Sequence, residues 1–251
     1  MGPEVRASTP PGGRRRVVGI AAVAAALEGE GLRCVVIPAE APASEAESLA
    51  ARAERAGIAV HRVAPRRYER LRGSHSDAPI LALAGPDPHA GLEEVMSRGG
   101  AVWLLARPVY PGNIGFAIRT AEVSGADGIY VDCDFDHAGR REATRAGMRA
   151  DRFMPVGWEP SARVLEAARR AGKRVVAIED VGAHAPWQTD LTGSVLLVVG
   201  AEAEGVPPGV LSAADETVRI PMGGFIASYN LQAAVAAVAT ERFRQLEARE
   251  S

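Results

Sequence analysis

Long apolar runs are missing from this chain of 251 residues: no stretch approaches the roughly 18 or more apolar residues that a membrane span needs. Aromatic residues are scarce at 5%, so the core must be built from valine, leucine, isoleucine and alanine, within an ordinary apolar content of 47%. Cysteine occurs twice, at Cys34 and Cys133, far apart and without a CxxC pair. That spacing supports neither a disulfide framework nor a zinc site, and a reduced cytoplasmic setting is the default. An excess of positive charge is also lacking, the formal net charge being −2. This does not announce a nucleic-acid binder, but the local field at a contact face is what matters. Finally, GxGxxG and GxxxxGK(S/T) are both absent, so a nucleotide-like ligand would have to be held by another route.

What is present falls into two α/β series. Residues 1–13, rich in proline and glycine, read as a disordered tail. Residues 14–84 read as a small α/β unit, with helices over Val17–Leu27, Ser44–Ala56 and Arg66–Arg72 and strands over Cys34–Ile37, Val60–Val63 and Ile80–Ala84. Ser44 and Glu47 have the spacing of a capping box. Arg14, Arg15 and Arg16 ahead of Val17–Leu27 have the layout of an export signal, but Glu28 to Gly31 and the apolar run after them favour a helix of a folded domain. Pro86, Pro88 and Gly91 mark a linker over 85–99, with a helical stretch at Leu92–Arg98.

Residues 100–251 alternate more cleanly. Strands are expected at Val102–Leu105, Ile129–Val131, Val175–Ile178, Val195–Val199 and Val218–Ile220, with helices at Ile114–Ser124, Ala162–Ala171 and Asn230–Glu247. Continuous apolar strands separated by helices predict a mostly parallel sheet covered on both faces. Arginine is clustered in three places: Arg14, Arg15 and Arg16; Arg66, Arg67, Arg70 and Arg72; and Arg140, Arg141, Arg145, Arg149 and Arg152. Any one cluster could equally be a solvated helix face. Asp132, Asp134, Asp136 and His137 superficially suggest a metal cluster, but they lack an ion-binding loop pattern and read as a solvated loop after a strand.

Three glycine-containing segments follow apolar strands, where open α/β sheets bind ligands. The first runs Pro111-Gly-Asn-Ile-Gly-Phe-Ala-Ile-Arg-Thr120, with Asn113 as a candidate N-cap, Ile114, Ile118, Ala121 and Gly125 as the buried stripe, and Arg119 off that stripe. The second runs Leu197-Val-Val-Gly-Ala-Glu-Ala-Glu-Gly-Val206, where Gly200 and Gly205 free the backbone and Glu202 needs a partner. The third runs Ile220-Pro-Met-Gly-Gly-Phe-Ile-Ala-Ser-Tyr-Asn-Leu231, with Ser228 and Asn230 just before an apolar helix. Taken singly, the first and third are explained by helix capping.

In order and spacing the three together resemble the motifs of the SpoU (TrmH) methyltransferases. Asn113 and Arg119 match that family's NxGxxxR. Gly200, Glu202 and Gly205 match its strand-GxExxG, and Ile220-Pro-Met222 with Ser228-Tyr-Asn230 match IPM…SLN. The resemblance covers residues 100–247, and residues 17–84 loosely resemble the small RNA-binding domain that often precedes it. It implies a parallel-sheet SPOUT domain with a C-terminal trefoil knot, a homodimer, and S-adenosyl-L-methionine (AdoMet) as co-substrate without a metal. Cofactor contacts carry over to Gly200, Ile220, Met222 and Tyr229. The catalytic set carries over to Asn113, Arg119, Glu202, Ser228 and Asn230. Arg14, Arg15, Arg16, Arg66, Arg67, Arg70 and Arg72 are the expected RNA-binding residues. The chain departs from the family at Tyr229 (usually Leu), Ala227 (often Glu), Gly147 (Ser) and Arg149 (Gly).

The implied reaction is methylation of a ribose 2′-hydroxyl of structured RNA, either rRNA or tRNA, in the cytoplasm. Arg119 is expected to position ribose or phosphate and stabilise alkoxide, because a guanidinium with a pKa above about 12 is a poor base. Asn113, Ser228 and Asn230 would orient the ribose and Arg119, and Glu202 would orient Arg119 or hold its loop. Two other readings compete: an RNA-binding knot protein without catalysis, and a base methyltransferase of the same class. The full polar set argues against the first, and the NxGxxxR and SxN pair against the second.

Overall fold

In the computed structural model, residues 13–29, 31–40, 43–73, 77–226 and 228–250 are described, the Glu250 side chain excepted. They form two compact units, one ending at Asp87 and one beginning at Pro88. Residues 1–12 and Ala227, for which a tail and a family departure are noted above, lie outside the described residues.

The first unit has a four-stranded sheet in the order β1-β4-β2-β3, made of β1 (Arg15–Val18), β2 (Leu32–Pro38), β3 (Ala59–Val63) and β4 (Leu81–Ala84). β2 and β3 are parallel and the other pairings antiparallel. The expected helix over Val17–Leu27 is corrected here. Val17 and Val18 belong to β1, and α1 spans only Ile20–Leu27, because Gly19 at φ +94° turns the chain between them. Helix α2 covers Ser44–Arg55, but Ala43 is its N-cap and Ser44 makes no cap bond, so the expected capping box is absent. Helix α3 covers Pro65–Arg72. Strand alternation sorts the core. Val35 and Ile37 of β2 pack with Val23, Leu49 and Ala53, while Cys34 and Val36 pack with Tyr68 on the opposite face.

The second unit has a six-stranded sheet in the order β10-β8-β9-β5-β6-β7, parallel throughout. Its strands are β5 (Ala101–Ala106), β6 (Gly128–Asp132), β7 (Val156–Trp158), β8 (Arg174–Ile178), β9 (Val195–Val199) and β10 (Glu216–Val218). Odd-numbered residues of β5 pack into one core with Ile114, Ile118, Val235 and Val238, and even-numbered ones into a second with Leu92, Val95, Val164 and Val210. Both faces are therefore covered, by α5 (Pro111–Val123), α6 (His137–Ala146) and α9 (Leu231–Glu250) on one side and by α4 (Leu92–Ser97), α7 (Ser161–Arg170) and α8 (Pro208–Leu211) on the other. Helix α4, read above as part of a linker, contributes buried Leu92, Val95 and Met96 to the second unit.

Strand β7 and helix α6 were not anticipated. β7 is short and contains glycine, which leaves too little alternation to see; α6 carries a strongly polar sequence, R-R-E-A-T-R, with only Ala143 buried. The acidic run around Asp134 has structural roles at both ends. The Asp132 carboxylate accepts from the Ser161 amide at 2.9 Å and its hydroxyl at 2.6 Å, and Asp136 caps α6 by accepting from the Gly139 amide at 2.8 Å.

Candidate functional site

The C-terminal ends of β8, β9 and β10 open on a cleft of about 460 Å³. Its floor is glycine by necessity. A Cβ on Gly200 would stand 1.9 Å from the Gly205 carbonyl carbon, and Gly205 itself has φ +68° with Glu179 Oε2 2.4 Å from its would-be Cβ. The loop closes on itself through the pair Ala201–Gly205, each amide donating to the other's carbonyl at 3.0 Å. Gly200 thus lets the loop close backbone on backbone, with residues 200–205 lining the cleft.

Six of the expected residues line this cleft: Gly200, Glu202, Ile220, Met222, Ser228 and Tyr229. The Tyr229 hydroxyl donates to the Pro221 carbonyl at 3.3 Å and so spans the base of the third segment. The substitution of tyrosine for the usual leucine therefore closes that loop with a bond leucine cannot make.

Asn113 and Asn230 are joined to the cleft through Glu202. Asn113 Nδ2 donates to Glu202 Oε1 at 2.5 Å, Asn230 Nδ2 donates to Asn113 Oδ1 at 3.2 Å, and Asn230 Oδ1 accepts from the Gln232 amide at 3.0 Å. A carboxylate only accepts, so Asn113 must present its NH₂ to Glu202 and its oxygen to Asn230. One chain of bonds therefore links all three motif segments. Asn230 is the N-cap of α9, as its position before an apolar helix implies. Asn113 is not an N-cap: α5 begins at Pro111 with Tyr110 as its cap, which frees the Asn113 side chain for Glu202. Glu202 is thereby paired with Asn113 rather than with Arg119, and its other oxygen, Oε2, is buried without a hydrogen-bond partner among the described residues.

Arg119 stands apart. It is exposed, makes no hydrogen bond or ion pair among the described residues, and does not line the cleft. Six residues on from Asn113, it lies about 120° away around α5. One turn before Arg119, Gly115 packs directly on α6, where a Cβ would meet the Ala143 carbonyl at 2.4 Å and the Gly147 amide at 2.7 Å. Gly147, one of the family departures, is required for that approach, since its own Cβ would meet the Gly115 carbonyl at 2.8 Å. Arg149, the other departure in this segment, has φ +62°, a backbone that glycine adopts freely.

Glu179 and Asp180 also line the cleft and were not anticipated. Glu179 Oε2 accepts from the Val206 amide at 2.6 Å, and Oε1 from the Asp180 amide at 3.1 Å, so this carboxylate holds the glycine loop. The available signal was an acid directly after an apolar strand at the binding edge of the sheet. With Glu202 and Glu204, the cleft is lined by four acidic side chains and no basic one.

The expected RNA-binding residues lie in the first unit. Arg15, Arg16, Arg66, Arg67 and Arg70 are exposed; Arg16 Nη1 donates to the Leu71 carbonyl at 2.6 Å, joining edge strand β1 to α3. Arg72 pairs with Asp77 at 3.7 Å, and Arg14 is half-buried. No helix among the described residues is long and apolar enough to cross a membrane.

The SpoU rRNA Methylase family matches residues 101–240. A 23S rRNA (guanosine-2′-O-)-methyltransferase RlmB of Bordetella pertussis is 28% identical over 221 residues, covering 86% of this chain and 90% of its own. The SpoU methyltransferase AviRb of Streptomyces viridochromogenes superposes with a TM-score of 0.58 at 25% identity, covering 94% of this chain and 91% of its own. An AdoMet-bound rRNA methyltransferase of Sinorhizobium meliloti gives 0.58 at 25% identity, with 93% and 88% covered. With the matched residues holding the whole parallel sheet, the glycine loop and the amide–carboxylate chain, this protein belongs to the SpoU rRNA methylase family.

Proposed function

We propose that the protein transfers a methyl group from AdoMet to a ribose 2′-hydroxyl of ribosomal RNA. The observation that carries this reading is the Glu202–Asn113–Asn230 chain at the mouth of an acidic, glycine-floored cleft. The relatives' names point to rRNA over tRNA. The cleft fits AdoMet: Gly200, Ile220 and Met222 offer backbone groups, and the four carboxylates suit a ligand bearing sulfonium and ammonium charges. Bound there, AdoMet supplies an electrophilic methyl group without a metal.

The chain's own residues do the rest. Asn113 and Asn230 are fixed by Glu202 and present a rigid polar edge to a ribose. Ser228 lies on the cleft wall within the same segment as Asn230. Arg119, whose side chain has no partner among the described residues, neutralises phosphate and stabilises negative charge developing on the 2′-oxygen. Its place outside the cleft fits a role filled only when RNA is bound.

The same reading includes the assembly. Phe116 and Val123, seven residues apart on α5, are 48% and 73% exposed, with Arg119 on the stripe between them. That apolar stripe fits a homodimer contact. The chain after β9 is proposed to form the trefoil knot. The close approach of Gly182 to the backbone of Val218 and Arg219, which only glycine allows, supports this reading. The first unit is proposed to bind RNA through Arg15, Arg16, Arg66, Arg67 and Arg70, together with Arg14 and Arg72, and the enzyme to act in the cytoplasm.

The test uses labelled AdoMet, a chelator and an unmodified 23S rRNA transcript, followed by digestion to nucleosides. Label on a 2′-O-methylnucleoside is expected. Label on a base would move the assignment to base methylation, and no label at all would overturn the catalytic reading.

A further inference from the structure

The third arginine cluster has no part in the site described so far. Helix α6 and the 3-10 turn that follows it, residues 137–152, carry five arginines against Glu142 and Asp151, a net +3 in a chain of net −2. Arg140 is used internally: its Nε donates to the Phe135 carbonyl at 3.0 Å and its guanidinium lies 5.3 Å from the Trp158 ring centre. Arg141, Arg145 and Arg152 are exposed, and their side chains make no hydrogen bond or ion pair among the described residues. Arg149 has only a loose contact with Asp151 at 3.4 Å.

Some exposed arginines elsewhere are held by carboxylates. Arg52, Arg62, Arg163, Arg170, Arg244 and Arg249 all reach a carboxylate at 3.0 Å or less. Arg141 and Arg145 are one helical turn, about 6 Å, apart on one face of α6, and Arg149 and Arg152 follow in the turn and 3-10 helix beyond its end.

The backbone supplies a second observation. Met148 and Arg149 are consecutive residues at φ +56° and +62°, a conformation unfavourable for any residue with a side chain. That turn presents Met148 at 69% exposure, and Phe153 at 44% lies just beyond the last arginine. Flat and apolar groups set among unpaired cations are the composition of a nucleic-acid surface. The cluster also leads to the reaction centre, because Gly147 is packed on Gly115 of α5, one turn before Arg119.

We propose that Arg141, Arg145, Arg149 and Arg152 form an RNA phosphate track on the methyltransferase unit itself, which guides the strand carrying the target ribose toward Arg119. This rests on RNA being the substrate. The track would be read by phosphate charge rather than by sequence, as unpaired guanidinium groups without a base-shaped pocket dictate.

The experiment compares the full-length protein with the triple variant Arg141→Gln, Arg145→Gln, Arg152→Gln on an unmodified 23S rRNA transcript. Three lost phosphate contacts should flatten the dependence of log affinity on log salt by about 2. At about 0.15 M salt the RNA KM should rise on the order of 50-fold while kcat and AdoMet affinity stay within about twofold. The matching triple lysine variant should retain most of the affinity, since charge is what is read. Arg149→Gly should raise the melting temperature by relieving the left-handed turn and yet weaken RNA binding, a combination that a structural arginine would not give. An unchanged salt slope and KM in the glutamine variant overturns the proposal, as does a lysine variant as weak as the glutamine one. If the wild-type protein methylates no RNA but the slopes still differ, the catalytic reading fails and the track stands.

Discussion

Gly205 and Glu179 depend on each other. The glycine's φ of +68° and the 2.4 Å that separates its would-be Cβ from Glu179 Oε2 mean that any side chain displaces the carboxylate that holds the Val206 amide. Gly205→Ala should therefore cost about 1–2 kcal/mol from the backbone alone. It should also weaken AdoMet binding, seen together as a lower melting temperature and a larger Kd by calorimetry. An alanine variant with unaltered AdoMet affinity would show that this loop does not form the ligand's cradle. Arg119 gives the opposite pattern. Being exposed and unpaired, it contributes little to the fold, so Arg119→Ala should keep its melting temperature and AdoMet affinity while losing about 10²- to 10³-fold in single-turnover methyl transfer. Arg119→Lys should rescue poorly, because an ammonium cannot reproduce the planar fork of donors. Near-full activity in Arg119→Ala would remove this residue from the reaction.

At the scale of elements, the two ends of the second sheet do different work. The C-terminal ends hold the cleft. At the other end Lys173, just before β8, is 4% exposed and donates to the carbonyls of Arg98 at 2.7 Å and Gly100 at 2.8 Å. Burial pushes its pKa down from 10.5 to about 8. A lowered lysine pKa means that the unfolded chain binds more protons than the native one between about pH 8 and 10.5. Stability should rise with pH across that window and show no contribution from this group's titration below it. Denaturant melts of wild type and Lys173→Met should show the rise in the former and its loss in the latter; parallel curves would contradict it. The first unit makes a separate prediction. Removing residues 1–87 should weaken RNA binding and leave AdoMet affinity nearly unchanged, because every residue lining the cleft lies beyond Asp87. Titrations of the truncated chain with RNA and with AdoMet check both halves, and intact RNA affinity would make the basic clusters of β1 and α3 merely solvated.

For the whole molecule, the question is what covers α5. Val123, 73% exposed, and Phe116 flank Arg119, so a partner seated on this stripe would also order the arginine. Val123→Glu should convert a dimer to a monomer in sedimentation and reduce methyl transfer with it, while a wild-type protein that sediments as a monomer would withdraw the homodimer.

Much of this architecture was written in local pattern. Apolar strands such as Val195–Val199 and the helices between them specify a doubly covered parallel sheet, because period and burial are local properties of the chain. Asn113, Glu202 and Asn230 were legible as a set because their spacing matched known motifs. Their joining into one bonded chain was not, since they are 89 and 117 residues apart in contacts that exist only after the sheet forms. The same holds for Glu179, whose role depends on a loop 27 residues away, and for Gly115 and Gly147, whose missing side chains matter only where two helices meet. Strand β7 and helix α6 escaped because a three-residue strand and a helix with one buried alanine carry almost no periodic signal. Candidates for the chemistry, then, could be named from the sequence. Which of them touch was decided by tertiary packing, which alone brings distant segments within hydrogen-bonding reach.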